Sequence, residues 1–186
     1  MAGRKAILKK FRKHRTAVFW VVSIAAVILL AFLFSVNYCK EMTVNEGSMD
    51  PTISAGQTVL IHTSAYAISS PGRGDVIAFR TDNENDRSLH VKRVIGLPGE
   101  TIRIDDGKIL INGKEYKERQ DFPEIIDPGI AEMEIELDEG EYFVLGDNRN
   151  GSEDSRYATV GNIRREQIVG LVWLKVKPLG SFGIIR

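Results

Sequence analysis

Residues 17–36 of this 186-residue chain read AVFWVVSIAAVILLAFLFSV, twenty consecutive residues without a charge. At a rise of 1.5 Å per residue, a helix of that length spans roughly 30 Å, the thickness of a bilayer's hydrocarbon core. A buried helix of a water-soluble domain would normally keep a polar face, and this run has none. The run therefore predicts a membrane helix over 17–38. A cleavable leader would have a shorter apolar core and small residues at its cut. The NYCK that follows offers no small-x-small step. Ser23 and Ser35 are no obstacle, because a helical serine can bond back to a carbonyl one turn earlier.

Charge orients the span. Residues 1–15 hold Arg4, Lys5, Lys9, Lys10, Arg12, Lys13 and Arg15 and no acid. With seven of the 25 basic residues there, the rest of the chain carries 18 bases against 25 acids, a net charge of −7. The formal net charge of zero thus hides a basic head on an acidic body. That pattern places the head at an anionic membrane surface and argues against a nucleic-acid binder. It also predicts a cytoplasmic N-terminus and an exterior body. The expected organisation is a basic cytoplasmic tail at 1–16, a transmembrane helix at 17–38 and one extracytoplasmic domain at 39–186. Cys39 is the only cysteine, so no intramolecular disulfide forms.

The exterior domain reads as mostly strand. QTVLIHT, GDVIAFR, HVKRVIG, EYFVLGD and QIVGLVWLKVKP are short runs rich in branched and apolar residues. In TIRIDDGKILINGKEYK, Asp106-Gly107 and Asn112-Gly113 are type I′ turn dipeptides between alternating segments, which predicts a three-stranded meander. Pro98-Gly99 predicts a type II turn. REQIVG is expected to start with one turn of helix. RTDNENDRSLH reads as a hairpin tip. Residues 121–141 hold nine acids and no Lys or Arg. The first half of that stretch is expected to be irregular, and AEMEIELDEG to form a half-exposed strand.

Hydrolysis by a nucleophile needs a hydroxyl or thiol beside a base. Cys39 has no evident base, and His14 lies in the tail, which leaves serines with His62 or His90 as bases. A lysine is the further option. In HVKRVIG, His90, Lys92 and Val94 share one strand face, and Val91, Arg93 and Ile95 the other. Lys92 either points into the interior, where desolvation would depress its pKa, or snorkels outward along its stem. GDNRNGSEDSR, residues 146–156, is either a fixed network of Asx turns and Arg–carboxylate pairs or a solvated loop. No cysteine pair, HExxH or paired-histidine spacing points to a metal, and no glycine-rich phosphate loop points to a nucleotide cofactor.

Four segments in order, GSMDPT, GDVIAF, HVKRVIGLPGE and GDNRNGSEDSR, behind the membrane run, resemble the bacterial membrane-anchored type I signal peptidases. They cover most of the exterior domain apart from the hairpin and the acidic stretch. The resemblance implies a mostly β fold, a coiled antiparallel sheet or open barrel on one N-terminal transmembrane helix. It implies a serine–lysine dyad, with Ser48 as nucleophile and Lys92 as general base. Ser152 would orient the lysine, and Asp147, Asp154 and Arg156 would hold the site by ion pairing. The family's oxyanion hole adds to the nucleophile's N–H a donor two residues upstream. Here that position is Glu46, whose carboxylate cannot donate. His90 stands where an aromatic is common and reads as a packing variant. The implied substrates are secretory precursor proteins cut after small residues, often Ala-x-Ala. The implied location is the cell membrane, near the export machinery. No metal, cofactor or nucleic acid is expected. Ser48 lies 12 residues beyond Val36, at most ~40 Å of chain from the helix end.

Overall fold

The computed structural model describes residues 16, 18–31, 38–81 and 88–185. The chain divides into two units, Met1–Cys39 and Lys40–Arg186.

In the first unit, residues 18–31 are helical and their apolar side chains, Phe19, Trp20 and Leu30 among them, are exposed. The Ser23 hydroxyl donates to the Phe19 carbonyl at 2.9 Å, the back-bond expected of a helical serine. Among the described residues no helix is long and apolar enough to cross a membrane. The basic tail at 1–15, and residues 17 and 32–37 of the expected 17–38 span, lie outside the described residues.

The second unit is mostly β. Its strands are β1 (Cys39–Thr43), β2 (Thr58–His62), β3 (Val76–Phe79), β4 (His90–Gly96), β5 (Thr101–Asp105), β6 (Lys108–Ile111), β7 (Lys114–Glu115), β8 (Ile135–Glu136), β9 (Glu141–Leu145), β10 (Ile163–Arg164), β11 (Ile168–Lys177) and β12 (Gly183–Ile184). One sheet runs β1-β2-β11-β3-β4-β9-β10, with β12 also on β11, and a second runs β7-β6-β5-β8. The pairs β2–β11, β3–β11, β3–β4 and β4–β9 are all antiparallel.

The smaller sheet follows its sequence closely. In β5, Ile102 and Ile104 point into an apolar cluster while Arg103 and Asp105 face water. Asp106 and Gly107 take φ of 47° and 73°, and Asn112 and Gly113 take 50° and 71°, as type I′ turns demand. Pro98-Gly99 forms a turn with Gly99 at φ 79°. A 3-10 turn, Arg165–Gln167, opens the run into β11. The tip of the β3–β4 hairpin, residues 82–87, lies outside the described residues.

The acidic stretch departs from expectation. A 3-10 turn at Gly129–Glu132 runs into its second half, which supplies only the two-residue β8, not a full strand. Tertiary contact overrides the alternating pattern. The Ile130 N–H donates to the Arg156 carbonyl at 2.9 Å, and Ala131 is fully buried, so the chain turns inward there.

The strand that carries Lys92 is β4. It is flanked by β3 and β9 and buried from Val91 to Gly96 on both faces. Val91, Ile95 and Val94 enter three different apolar clusters. Any charged side chain in β4 is therefore taken out of water unless it finds a partner.

Candidate active site

Ser48 sits in a turn closed by the Asp50 N–H donating to the Gly47 carbonyl at 3.2 Å. The neighbouring Met49 and Ile53 bridge to each other and are fully buried, which pins the turn to an apolar cluster. From the other side the loop after β9 clasps it. The Asn148 N–H donates to the Ser48 carbonyl at 3.1 Å, and the Asn148 side-chain amide donates to the Gly47 carbonyl at 3.1 Å. Ser48 is 7 % exposed, and neither its N–H nor its hydroxyl is hydrogen-bonded among the described residues.

Lys92 lies in β4 opposite Ile77 and is 2 % exposed. The snorkelling alternative is thereby removed. Burial pushes its pKa below the ordinary lysine value. The carboxylates of Glu46, Asp154 and Glu153 pull it back up in part, and the Arg156 charge pushes it further down. Among the described residues, Lys92 is the one buried cation with no carboxylate in ion-pair reach. Arg93 has Asp147, Arg149 has Glu118 and Arg156 has Asp154.

The segment 146–156 is a fixed network, not a solvated loop. Arg156 makes a forked pair with Asp154, Nε to Oδ1 at 2.8 Å and an Nη2 to Oδ2 bond at 3.0 Å. It also donates to the carbonyls of Arg149 and Asp127 at 2.6 and 3.0 Å. Asp154 accepts the Gly146 N–H at 3.0 Å, and Arg149 Nε donates to the Gly146 carbonyl at 3.0 Å. Gly146 is thus held from both ends, and nothing larger fits there. A Cβ there would overlap the Ser152 Oγ and Cβ and the Ser48 carbonyl oxygen. Ser48 and Ser152 thus meet across Gly146. The Ser152 hydroxyl is buried and has no hydrogen-bond partner among the described residues, Lys92 included.

Asp147 turns to Arg93, not to Lys92. Arg93 Nε reaches Oδ1 at 2.8 Å and Nη2 reaches Oδ2 at 2.6 Å, and its Nη1 donates to the Gly74 carbonyl at 2.8 Å. This pair ties the loop to β4 one residue from Lys92. Asp147→Asn is expected to leave a buried guanidinium uncompensated and to cost about 3–5 kcal/mol. A thermal melt would register that as a fall of roughly 10 °C.

Sequence reasoning missed Arg93, Arg149 and Asn148. The signal for Arg93 was the one used for Lys92, a cation inside an apolar strand. His90 does pack its ring against Phe79, with centroids 5.8 Å apart. His62 lies 3.1 Å from the Ser64 hydroxyl. Neither histidine is hydrogen-bonded to Ser48. The structure gives a hydroxyl in a clasped turn, a desolvated amine without a counter-ion among the described residues, and a rigid loop that contacts the turn through Asn148 and is tied to β4 through Asp147 and Arg93. These are the groups that nucleophilic hydrolysis requires.

The family description "Signal peptidase, peptidase S26" matches residues 17–176 of the chain. The chain is similar to signal peptidase I U of Bacillus subtilis, 33% identical over 97% of this chain and 97% of that one. It is 30% identical to signal peptidase IB of Staphylococcus aureus, over 88% of this chain and 91% of that one. A crystal structure of a signal peptidase I from Enterococcus faecalis matches with 33% identity and a TM-score of 0.44, covering 56% of this chain and 98% of the other.

Proposed function

The chain belongs to the signal peptidase family, peptidase S26, and from that premise we propose that it is a membrane-bound serine endopeptidase acting through a Ser48–Lys92 dyad. It removes N-terminal signal peptides from exported precursors after small residues of the Ala-x-Ala type. The observation that carries the dyad is Lys92 itself, a buried lysine without a counter-ion and with a lowered pKa. A lysine kept neutral by burial accepts a proton, whereas a surface ammonium does not.

Lys92 takes the proton from the Ser48 hydroxyl as the oxygen attacks the scissile carbonyl. The free Ser48 N–H faces the developing oxyanion. Glu46, exposed and carrying a carboxylate, does not serve as the second donor. The Lys92 ammonium then protonates the leaving amine, and water releases the acyl group by the same route in reverse. The Ser152 hydroxyl, buried and unbonded, supplies the hydrogen bond that aims the lysine. Asp147, Asp154 and Arg156 transfer no proton and hold the loop that presents Ser152.

The same reading puts the protein in the cell membrane as a single-pass chain. Its basic tail at 1–16 is cytoplasmic, residues 17–38 span the bilayer and the catalytic domain from 39 is extracytoplasmic, near the export machinery. The uncharged run and the seven basic residues before it support this topology.

The test is cleavage of a synthetic precursor peptide with an Ala-x-Ala site by the full chain in detergent, read by mass spectrometry. One cut after the second alanine is expected from the wild type and none from Ser48→Ala. A Ser48→Ala protein that cleaves as fast as the wild type would remove the nucleophile assignment.

A further inference from the structure

Residues 116–125, between β7 and the 3-10 turn at Gly129–Glu132, form an irregular strap. Its backbone is tied at its two ends, Tyr116 N to Ile109 O at 2.8 Å and Ile125 N to Gly107 O at 3.4 Å. Between those ties it does not lie on a closed core. A cavity of about 510 Å³ opens where the strap meets β3, β4 and β11, lined by Val76, Arg93, Phe122, Val172 and Trp173 among others. The cavity touches neither Ser48 nor Lys92.

Two strap side chains reach the loop after β9. Glu118 forms a forked pair with Arg149, at 2.5 and 2.7 Å. The Phe122 ring lies under both buried guanidiniums, 4.4 Å from Arg149 and 5.5 Å from Arg93. Each arginine grips the loop in turn. Arg149 donates to the Gly146 carbonyl and Arg93 forks onto Asp147. Gly146 is the residue across which Ser48 and Ser152 meet.

We infer that Glu118 and Phe122 are positioning residues for the cleavage reaction, holding the Gly146–Asp147 step in place through Arg149 and Arg93. The inference rests on the reading of Ser48 and Lys92 as the reacting pair. Without the Glu118 carboxylate, the Arg149 guanidinium is buried with no counter-charge, and its escape toward water takes the donor away from the Gly146 carbonyl. A shift of that step moves Ser48 against Ser152. Reaction geometry is sensitive on this scale, where a displacement of about 1 Å costs roughly 10²-fold.

The experiment measures kcat and KM of the full chain in detergent on the precursor peptide, with a thermal melt of every variant. Glu118→Gln and Phe122→Leu are each expected to lower kcat by about tenfold or more while KM stays within about twofold. Glu118→Asp, which keeps the charge, recovers part of that loss. Arg119→Ala, an exposed strap neighbour, leaves both constants unchanged. In an Arg149→Met background, Glu118→Gln costs little more, because its route of action is already gone. If Glu118→Gln does not fold, Phe122→Leu, which removes no charge, decides alone. Unchanged kcat in a folded Glu118→Gln or Phe122→Leu overturns the inference, and so does an undiminished Glu118→Gln effect in the Arg149→Met background. Ser48→Ala and Lys92→Met assayed alongside separate the two claims. Activity in those variants sinks the dyad, whereas their inactivity together with indifferent strap variants sinks the strap alone.

Discussion

Lys92→Met is expected to lower precursor cleavage by about 10⁴-fold or more and, in the same protein, to raise stability at neutral pH. The two effects share one cause. Lys92 is 2 % exposed and has no ion-pair partner among the described residues, so burial lowers its pKa from the free-lysine value of 10.5. Between the lowered folded pKa and 10.5, the unfolded chain holds a proton that the folded chain does not. Stability therefore rises with pH across that window, and below it the full penalty is present. Each unit of depression corresponds to ~1.4 kcal/mol. Methionine has a similar length and no charge to desolvate, so it escapes the penalty. Melts of the two proteins should differ most below the lowered folded pKa and converge as the pH approaches 10.5. Equal melting temperatures at every pH would show that Lys92 is not held against its own solvation. A melt difference with full peptidase activity would leave Lys92 buried but without a catalytic role.

Gly146→Ala should have the second largest effect, a loss of about 10²-fold in kcat with a stability cost of ~1–3 kcal/mol from overpacking. The added methyl would overlap the Ser152 hydroxyl and the Ser48 carbonyl oxygen together. Neither can yield freely. The Ser48 carbonyl is bonded to the Asn148 N–H, and the loop around Ser152 is locked by the Asp154–Arg156 fork. The wedge therefore pushes Ser48 and Ser152 apart, the proposed nucleophile and the proposed orienting group. Gly180→Ala is the control, because a Cβ there meets nothing within 4 Å. A Gly146→Ala protein with wild-type kcat would mean that Ser48 and Ser152 need not stay in register.

These two effects differ in how far the sequence foretold them. The apolar strand around Lys92 was legible in HVKRVIG, which the structure makes β4 from His90 to Gly96, but the sequence left burial and snorkelling open and only the fold settled on burial. The Gly146 contact was not legible, because it joins position 48 to positions 146 and 152 across a hundred residues of chain. Local rules decided what local geometry controls. Asp-Gly and Asn-Gly turned where left-handed φ was needed, and TIRID alternated inward and outward as a two-residue repeat must. The same alternation overreached in AEMEIELDEG, where a 3-10 turn held by the Arg156 carbonyl and the buried Ala131 takes the first two residues and leaves only Ile135–Glu136 as strand.

The deepest division runs between two neighbours, Lys92 and Arg93. From the sequence both are cations in one apolar strand on opposite faces. Periodicity tells which faces they take, since it follows from backbone geometry alone. It does not tell which face will meet a carboxylate. Asp147, 54 residues later, arrives beside Arg93, while no acid comes within ion-pair distance of Lys92 among the described residues. Desolvation acts on both charges alike, and only the partner delivered by the fold separates a compensated arginine from a lysine whose charge is left without a counter-ion among the described residues.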